Sequence, residues 1–230
     1  MADERGLEGR DPYDLQDAEC ARLDARLAGL DEAAWAAPSG CEGWSRRDLA
    51  AHLVAVEEYF SACLDGTVAD LMARYAETGA ASLDDFNAAG VAAAGDATGP
   101  ELLGTWRERN ALNRAGFRAN DGRDIDTSVG AYPARLQAFH VAFEYAIHAD
   151  DADAPVADGE VDARQDWLAG VARFALTEIK QDVSVDEADG RFLVRQGDNE
   201  AEFSRDAFVA GVAGRSGDDD QATDLLDLGY

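Results

Sequence analysis

The sequence predicts a mainly α protein, with a helical bundle over residues 1–155 and a small α+β domain over residues 156–230. Two observations predict this class. Apolar residues recur every three or four positions through several long segments of the first part, which is the period of an amphipathic helix. Beyond residue 180 the chain changes to short apolar segments separated by turn residues, which is typical of strands.

Four long segments of the first part carry the helical pattern. In chain order they are residues 13–30, the segment that begins after Ser45, residues 101–119 and residues 133–149. The second has the spacing of a capping box, because Asp48 follows Ser45 by three positions. Pro100 suits the start of the third. Helices of this length and pattern predict a helical bundle over this part of the chain.

The segments between these helices are less regular. Residues 35–44 are rich in turn residues and predict a loop, and residues 65–100 give weak helical signals over 68–76 and 83–94. The acidic residues 150–159 are interpreted as a linker between the two domains.

The second domain begins with a helix over residues 161–180. Residues 183–186 and 191–195 then predict two strands of a hairpin, because Ala188-Asp189-Gly190 is a turn signal. Residues 201–203 predict a third strand. Ser204 is a suitable N-cap for a last helix over residues 205–213.

Charge and cysteine usage exclude several classes of function. The net charge of −27 repels phosphate backbones, which argues against a nucleic-acid partner. The charged start of the chain and the lack of a long apolar run predict a cytoplasmic protein that does not enter a membrane. Three cysteines without a Cys-x-x-Cys pair predict neither disulfides nor a thiolate zinc site, and we interpret them as apolar fillers, with Cys41 in a loop as a possible exception.

The three histidines of the chain all fall in segments with a helical pattern. Glu144 lies four residues after His140 and four before His148, so these three side chains share a helix face. His140 and His148 are about 12 Å apart along the axis and cannot both bind one ion. Two pairs are therefore possible, His140/Glu144 and Glu144/His148, with His52 as a third ligand from another helix.

This pattern permits a metal site without requiring one. Two imidazoles and a carboxylate suit zinc and leave a coordination position open, as catalytic sites do. The alternative is ordinary structure, because Glu–His pairs at this spacing are common surface ion pairs and a single histidine on an apolar face is usually a core residue.

Two segments resemble the mycothiol-dependent maleylpyruvate isomerase family of the DinB-like superfamily. The first is Trp35-x-x-Pro38-Ser39-x-Cys41-x-Gly43-Trp44-Ser45-x-Arg47-Asp48-Leu49-x-x-His52-Leu53, and the second is Glu144-x-x-x-His148-x-x-Asp151. The resemblance implies a DinB-like four-helix bundle that binds a divalent metal through His52, Glu144 and His148. Within this resemblance His140 is not a ligand.

The resemblance extends to the tail and to the chemistry. Val212-Ala213-Gly214-Arg215 is similar to the Gly-Arg motif of the family's small C-terminal domain, which implies a catalytic or substrate-anchoring role for Arg215.

Asp151 is a candidate for the residue that accepts a hydrogen bond from a ligand imidazole, although its place in an acidic run is equally typical of a solvated carboxylate.

The resemblance implies an enzyme with Zn²⁺, or another divalent metal, and mycothiol or a similar small thiol as cofactors. The substrate would be an electrophile or unsaturated acid, for an isomerase or an S-transferase, in a monomer or a homodimer. A hydrolase that uses metal-bound hydroxide and a metal- or small-molecule-binding protein without activity are the alternatives.

Overall fold

The structure is a computed structural model of the chain, and it describes residues 2–217 and 220–228. Residues 1 and 230, the outer bounds of the two predicted domains, lie outside the described residues. The chain forms two compact units. One is Asp11–Pro155, and the other combines Met1–Arg10 with Val156–Tyr230.

The first unit is a four-helix bundle with short additional elements, which confirms the predicted mainly α class. The bundle helices are α1 (Pro12–Ala28), α3 (Arg46–Asp65), α6 (Gly99–Ala119) and α7 (Ala134–Asp151). The additional elements are α2 (Glu32–Ala36), α4 (Val68–Glu77), α5 (Leu83–Ala93) and an antiparallel hairpin of β1 (Asp124–Thr127) and β2 (Gly130–Pro133). Capping boxes begin α3, α5 and α6, so the polar residues before these helices determine where they start.

The bundle core is built from the apolar faces of these helices. α1 packs against α6 and α7, and α3 packs against α6. Large side chains that are almost fully buried fill the space between them: Leu23, Leu27, Leu49, Leu53, Trp106, Phe117 and Tyr145. The helices α3 and α7 meet through polar side chains, which form the candidate site described below.

A buried carboxylate joins the bundle helices at their centre. Glu57 of α3 is fully buried and accepts hydrogen bonds from Asn110 Nδ2 (2.9 Å) and Asn113 Nδ2 (2.7 Å) of α6 and from the Tyr145 hydroxyl (2.8 Å) of α7. Asn110 Nδ2 also contacts Cys20 Sγ of α1 at 3.2 Å. Burial raises the pKa of the Glu57 carboxyl, and these donors oppose that rise.

In its described residues the second unit has a one-turn 3-10 helix (Glu4–Leu7), one long helix, a three-stranded sheet and two short helices. Its elements are α8 (Val161–Ile179), β3 (Val183–Ala188), β4 (Arg191–Gln196), β5 (Asn199–Ser204), α9 (Arg205–Val212) and α10 (Asp220–Leu226). The strands form an antiparallel meander in the order β3-β4-β5. Phe192 of β4 stacks on Phe208 of α9 with ring centroids 4.5 Å apart, so the sheet and α9 share an apolar core.

The structure differs from the sequence-based expectations at five places. Residues 1–10 belong to the second unit, because the Asp3 amide donates to Thr177 Oγ1 (2.8 Å) and Arg10 pairs with Asp166 (2.5 Å). Residues 150–151 are the last turn of α7 rather than linker, since Asp151 is buried. The short elements α2, the β1–β2 hairpin and α10 were not predicted, because segments this short carry little periodicity.

No helix in the described part of the chain combines the length and the apolar character that a membrane crossing needs.

We expect Glu57→Ala to destabilise the protein strongly. The substitution leaves the donors of Asn110, Asn113 and Tyr145 buried without an acceptor, at a cost of about 3 kcal/mol or more in the free energy of unfolding. Denaturant unfolding followed by circular dichroism measures this loss. The control is Glu58→Ala on the same helix, where the pair with Arg74 is exposed to solvent and its loss should change stability little. Equal stability of the two variants would contradict the assigned role of Glu57.

Candidate metal centre

Three side chains that the sequence singled out come together between α3 and α7. His52 lies in the second turn of α3, whose start is set by the Ser45 capping box. Glu144 and His148 lie one turn apart on α7, so their side chains emerge from the same helix face.

The three donor atoms form a nearly equilateral triangle. His52 Nε2 lies 3.2 Å from Glu144 Oε1 and 3.0 Å from His148 Nε2, and His148 Nε2 lies 3.0 Å from Glu144 Oε1. Two donors of a tetrahedral zinc ion are about 3.3 Å apart when the metal–ligand distance is about 2.05 Å. The triangle is within a few tenths of an ångström of that spacing, and its donor types suit zinc or a similar divalent ion. These residues therefore fit a metal ion.

The three side chains of the triangle differ in exposure. The side chains of His52 and His148 are 6% and 7% exposed, whereas that of Glu144 is 35% exposed. The imidazoles are consequently held by packing, and the Trp44 ring lies 5.1 Å from the His52 ring.

The pKa values of the triangle are shifted in opposite directions. Burial alone would raise the pKa of the Glu144 carboxyl, but the His148 and His52 imidazoles outweigh it and hold that pKa well below its usual value. Burial alone would lower the pKa of His148, but the Glu144 carboxylate and the hydrogen bond to Asp151 raise it well above the usual value. The site thus favours positive charge, whether as a proton on His148 or as a cation.

Asp151 determines which nitrogen of His148 faces the triangle. Its Oδ2 lies 2.9 Å from His148 Nδ1 and accepts the Nδ1–H, so that Nε2 is the nitrogen directed at His52 and Glu144 and carries the free lone pair whenever the ring is neutral. The same carboxylate oxygen accepts a hydrogen bond from the Cys41 thiol at 3.1 Å. Asp151 is 7% exposed, so it is not the solvated carboxylate that its acidic neighbours suggest.

The loop before α3 is folded against the end of α7. The Gly40 amide donates to the Asp151 carbonyl oxygen (2.8 Å), and the Ser39 amide donates to the Trp44 carbonyl oxygen (2.8 Å). A Cβ atom on Gly40 would lie 2.6 Å from Asp151 Oδ1 and 2.8 Å from its Cα atom. Only glycine therefore allows this close approach, and the approach places Cys41 beside Asp151.

Two further candidates from the sequence are His140 and Arg215. His140 Nε2 contacts the Tyr132 hydroxyl at 3.3 Å, and His140 does not contribute to the triangle. Arg215 belongs to the second unit, where it follows α9 and is exposed. Gly214 has a φ of +72° there, and the Arg215 amide donates to the Ala210 carbonyl oxygen (2.7 Å), which is a Schellman end to the helix. The Gly-Arg pair is thus a helix terminus that presents an arginine.

Sequence reasoning missed the buried polar partners of the site. The Cys41 contact with Asp151 joins residues 110 positions apart, and no local pattern reports it. The burial of Glu57 could have been predicted, because this residue lies four positions after Leu53 and three before Phe60, on the apolar stripe of α3.

We expect Gly40→Ala to lower the free energy of unfolding by about 1–3 kcal/mol, because the new methyl group overlaps Asp151. Thermal or denaturant unfolding measures the change. The control is Gly104→Ala in α6, where an added Cβ meets no atom within 4 Å and where alanine stabilises a helix by about 0.5–1 kcal/mol. A Gly40→Ala protein as stable as the wild type would show that the loop does not press on Asp151.

Comparisons with known proteins identify the family of this chain. The model of the mycothiol maleylpyruvate isomerase N-terminal domain matches residues 16–153. A search of curated protein sequences gave no significant match.

Two solved structures share the fold. The crystal structure of the mycothiol-dependent maleylpyruvate isomerase has 19% sequence identity and a TM-score of 0.61, with 95% of this chain and 94% of that chain covered. The crystal structure of a histidine-to-alanine mutant of the mycothiol-dependent maleylpyruvate isomerase has 19% identity and a TM-score of 0.54, with 78% and 72% covered. The matched family model spans more than half of the chain, and the chain therefore belongs to the mycothiol maleylpyruvate isomerase N-terminal domain family.

Proposed function

We propose that this protein is a metal-dependent enzyme that uses mycothiol, or a similar small thiol, to isomerise maleylpyruvate or a related unsaturated acid. The observation that carries the proposal is the triangle of His52, Glu144 and His148 donor atoms in a member of this family. The donor set of two imidazoles and one carboxylate favours Zn²⁺ and leaves a position for a further ligand.

A bound divalent ion would supply a Lewis acid that stabilises a thiolate, and the thiol would supply a nucleophile for reversible addition to a conjugated double bond. The residues of the chain prepare this chemistry. His52 and His148 direct their Nε2 atoms at one point because packing and the Asp151 hydrogen bond hold the rings. Of the three side chains Glu144 is the most exposed, which supports entry of the small thiol beside it.

Arg215 is proposed to bind the carboxylate of the substrate. A guanidinium group can hold a carboxylate through two parallel hydrogen bonds, and an anionic substrate needs such a cation in a protein with a net charge of −27. The helix end at Gly214 supports the proposal, because it leaves the Arg215 side chain exposed at a defined backbone position.

Turnover assays separate this proposal from its alternatives. The metal-loaded protein is incubated with maleylpyruvate, with and without mycothiol, and with a haloarene as a transferase substrate. We expect the isomerised product only when the thiol is present. Thiol adducts of the haloarene would indicate an S-transferase, turnover without thiol a hydrolase, and no turnover with metal bound a binding protein.

The expectations on location, oligomeric state and macromolecular partners stay predictions. They are a cytoplasmic location, a monomeric or homodimeric state, and no nucleic-acid or membrane partner.

The proposed ligands predict a clear pattern of metal content. His52→Ala, Glu144→Ala and His148→Ala each remove one donor atom of the triangle, so we expect each variant to lose most of its metal at equal protein and metal concentrations. His140→Ala is the matched control and should retain it, because His140 contacts Tyr132 instead. Elemental analysis after dialysis gives the readout. Full metal retention by all three ligand variants would refute the site.

Arg215→Lys tests the proposed contact between the Arg215 guanidinium and the substrate carboxylate. Lysine keeps the charge but cannot form the bidentate contact, so we expect kcat/KM to fall by about 10- to 100-fold, equivalent to roughly 1.5–3 kcal/mol. Metal content should not change. Arg191→Lys, on an exposed strand residue paired with Glu202, is the control and should keep full activity. An Arg215→Lys enzyme with wild-type kcat/KM would exclude the proposed role.

A further inference from the structure

We propose that Cys41, Asp151 and the Nδ1 atom of His148 form a second metal position, suited to a thiophilic divalent ion. Cys41 Sγ lies 3.1 Å from Asp151 Oδ2, His148 Nδ1 lies 2.9 Å from the same oxygen, and Sγ and Nδ1 are 3.9 Å apart. The three atoms thus form a second compact group of potential ligands. This group differs from the first triangle because it uses the opposite nitrogen of the His148 ring.

The second group is held in place before any ion arrives. The loop that carries Cys41 is closed by the backbone hydrogen bonds of Ser39 and Trp44 and pressed on Asp151 by Gly40. The Cys41 amide also donates to Ser39 Oγ at 3.2 Å. Because little rearrangement is needed to gather the ligands, little conformational entropy is lost on binding.

Burial and ligand type define which ion would bind. Asp151 and His148 are buried, whereas Cys41 is half-buried, so an ion can reach the group past the sulfur atom. A thiolate and a carboxylate supply two negative charges, and the soft sulfur ligand favours Cd²⁺, Co²⁺ or a second Zn²⁺ over Mg²⁺ or Ca²⁺. The first triangle contains no sulfur, so the two positions differ in their spectroscopic signature.

An ion in the second position would change the first one. It replaces the thiol proton of Cys41 and the Nδ1 proton of His148, so Asp151 binds the ion instead of accepting the hydrogen bond that orients the ring. We therefore expect the second ion to bind after the first, more weakly, and to inhibit turnover. His148 belongs to both groups of ligands, so this inference rests in part on the proposed function. The experiment therefore has to distinguish loss of the second position from loss of the first.

Cobalt titration of the reduced protein provides that test. Cobalt bound to a thiolate gives an intense sulfur-to-cobalt charge-transfer absorption in the near ultraviolet, which ligation by nitrogen and oxygen alone does not give. We expect this absorption to appear with the second equivalent of Co²⁺ in the wild type. It should be lost in Cys41→Ser, with at least tenfold weaker binding of that equivalent, and kept in Cys63→Ser, where the cysteine is buried elsewhere on α3.

The variant His52→Ala distinguishes the failure of this inference from that of the proposed function. It removes a donor of the first triangle but none of the second, so the absorption should persist. No absorption in the wild type with two equivalents of cobalt bound, or an undiminished absorption in Cys41→Ser, would overturn the second position and leave the first intact. A wild-type protein that binds no cobalt would contradict both.

Discussion

The buried carboxylate of Glu57 constrains the arrangement of the bundle. A carboxylate without water needs hydrogen-bond donors, and the chain supplies them from two other helices through Asn110, Asn113 and Tyr145. These contacts allow one relative placement of α3, α6 and α7. Tyr145 follows Glu144 directly in the chain. The hydrogen bond from Tyr145 to Glu57 therefore also fixes the position of α7, the helix that carries two of the three donor atoms.

Much of the fold follows from local sequence signals. The four bundle helices, α8 and the three-stranded sheet have apolar periodicity or turn residues that predict them, and the Ser45 capping box marks the start of α3 to the residue. The unpredicted features depend on distant contacts. Residues 1–10 pack on α8 through Asp3 and Thr177, which are 174 positions apart, and a short polar segment carries no sign of such a partner.

The candidate site was predictable in its residues but not in its geometry. Helical spacing alone allowed Glu144 to pair with either His140 or His148, and only the family motif favoured His148. The structure brings His148 to Glu144 and His52 and places His140 against Tyr132, while the ligand roles stay a prediction. The burial of Asp151 was not predictable from an acidic run, since it depends on Gly40 and Cys41 of a loop far away in the sequence. The same contact creates the second group of ligands.

The proposed function depends on one metal ion that binds His52, Glu144 and His148. Anomalous diffraction at the absorption edge of the metal, from crystals of protein loaded with one equivalent of zinc, tests it most directly. We expect a single strong peak about 2.0–2.2 Å from His52 Nε2, a Glu144 carboxylate oxygen and His148 Nε2. A fully loaded crystal whose anomalous peak lies elsewhere would contradict it.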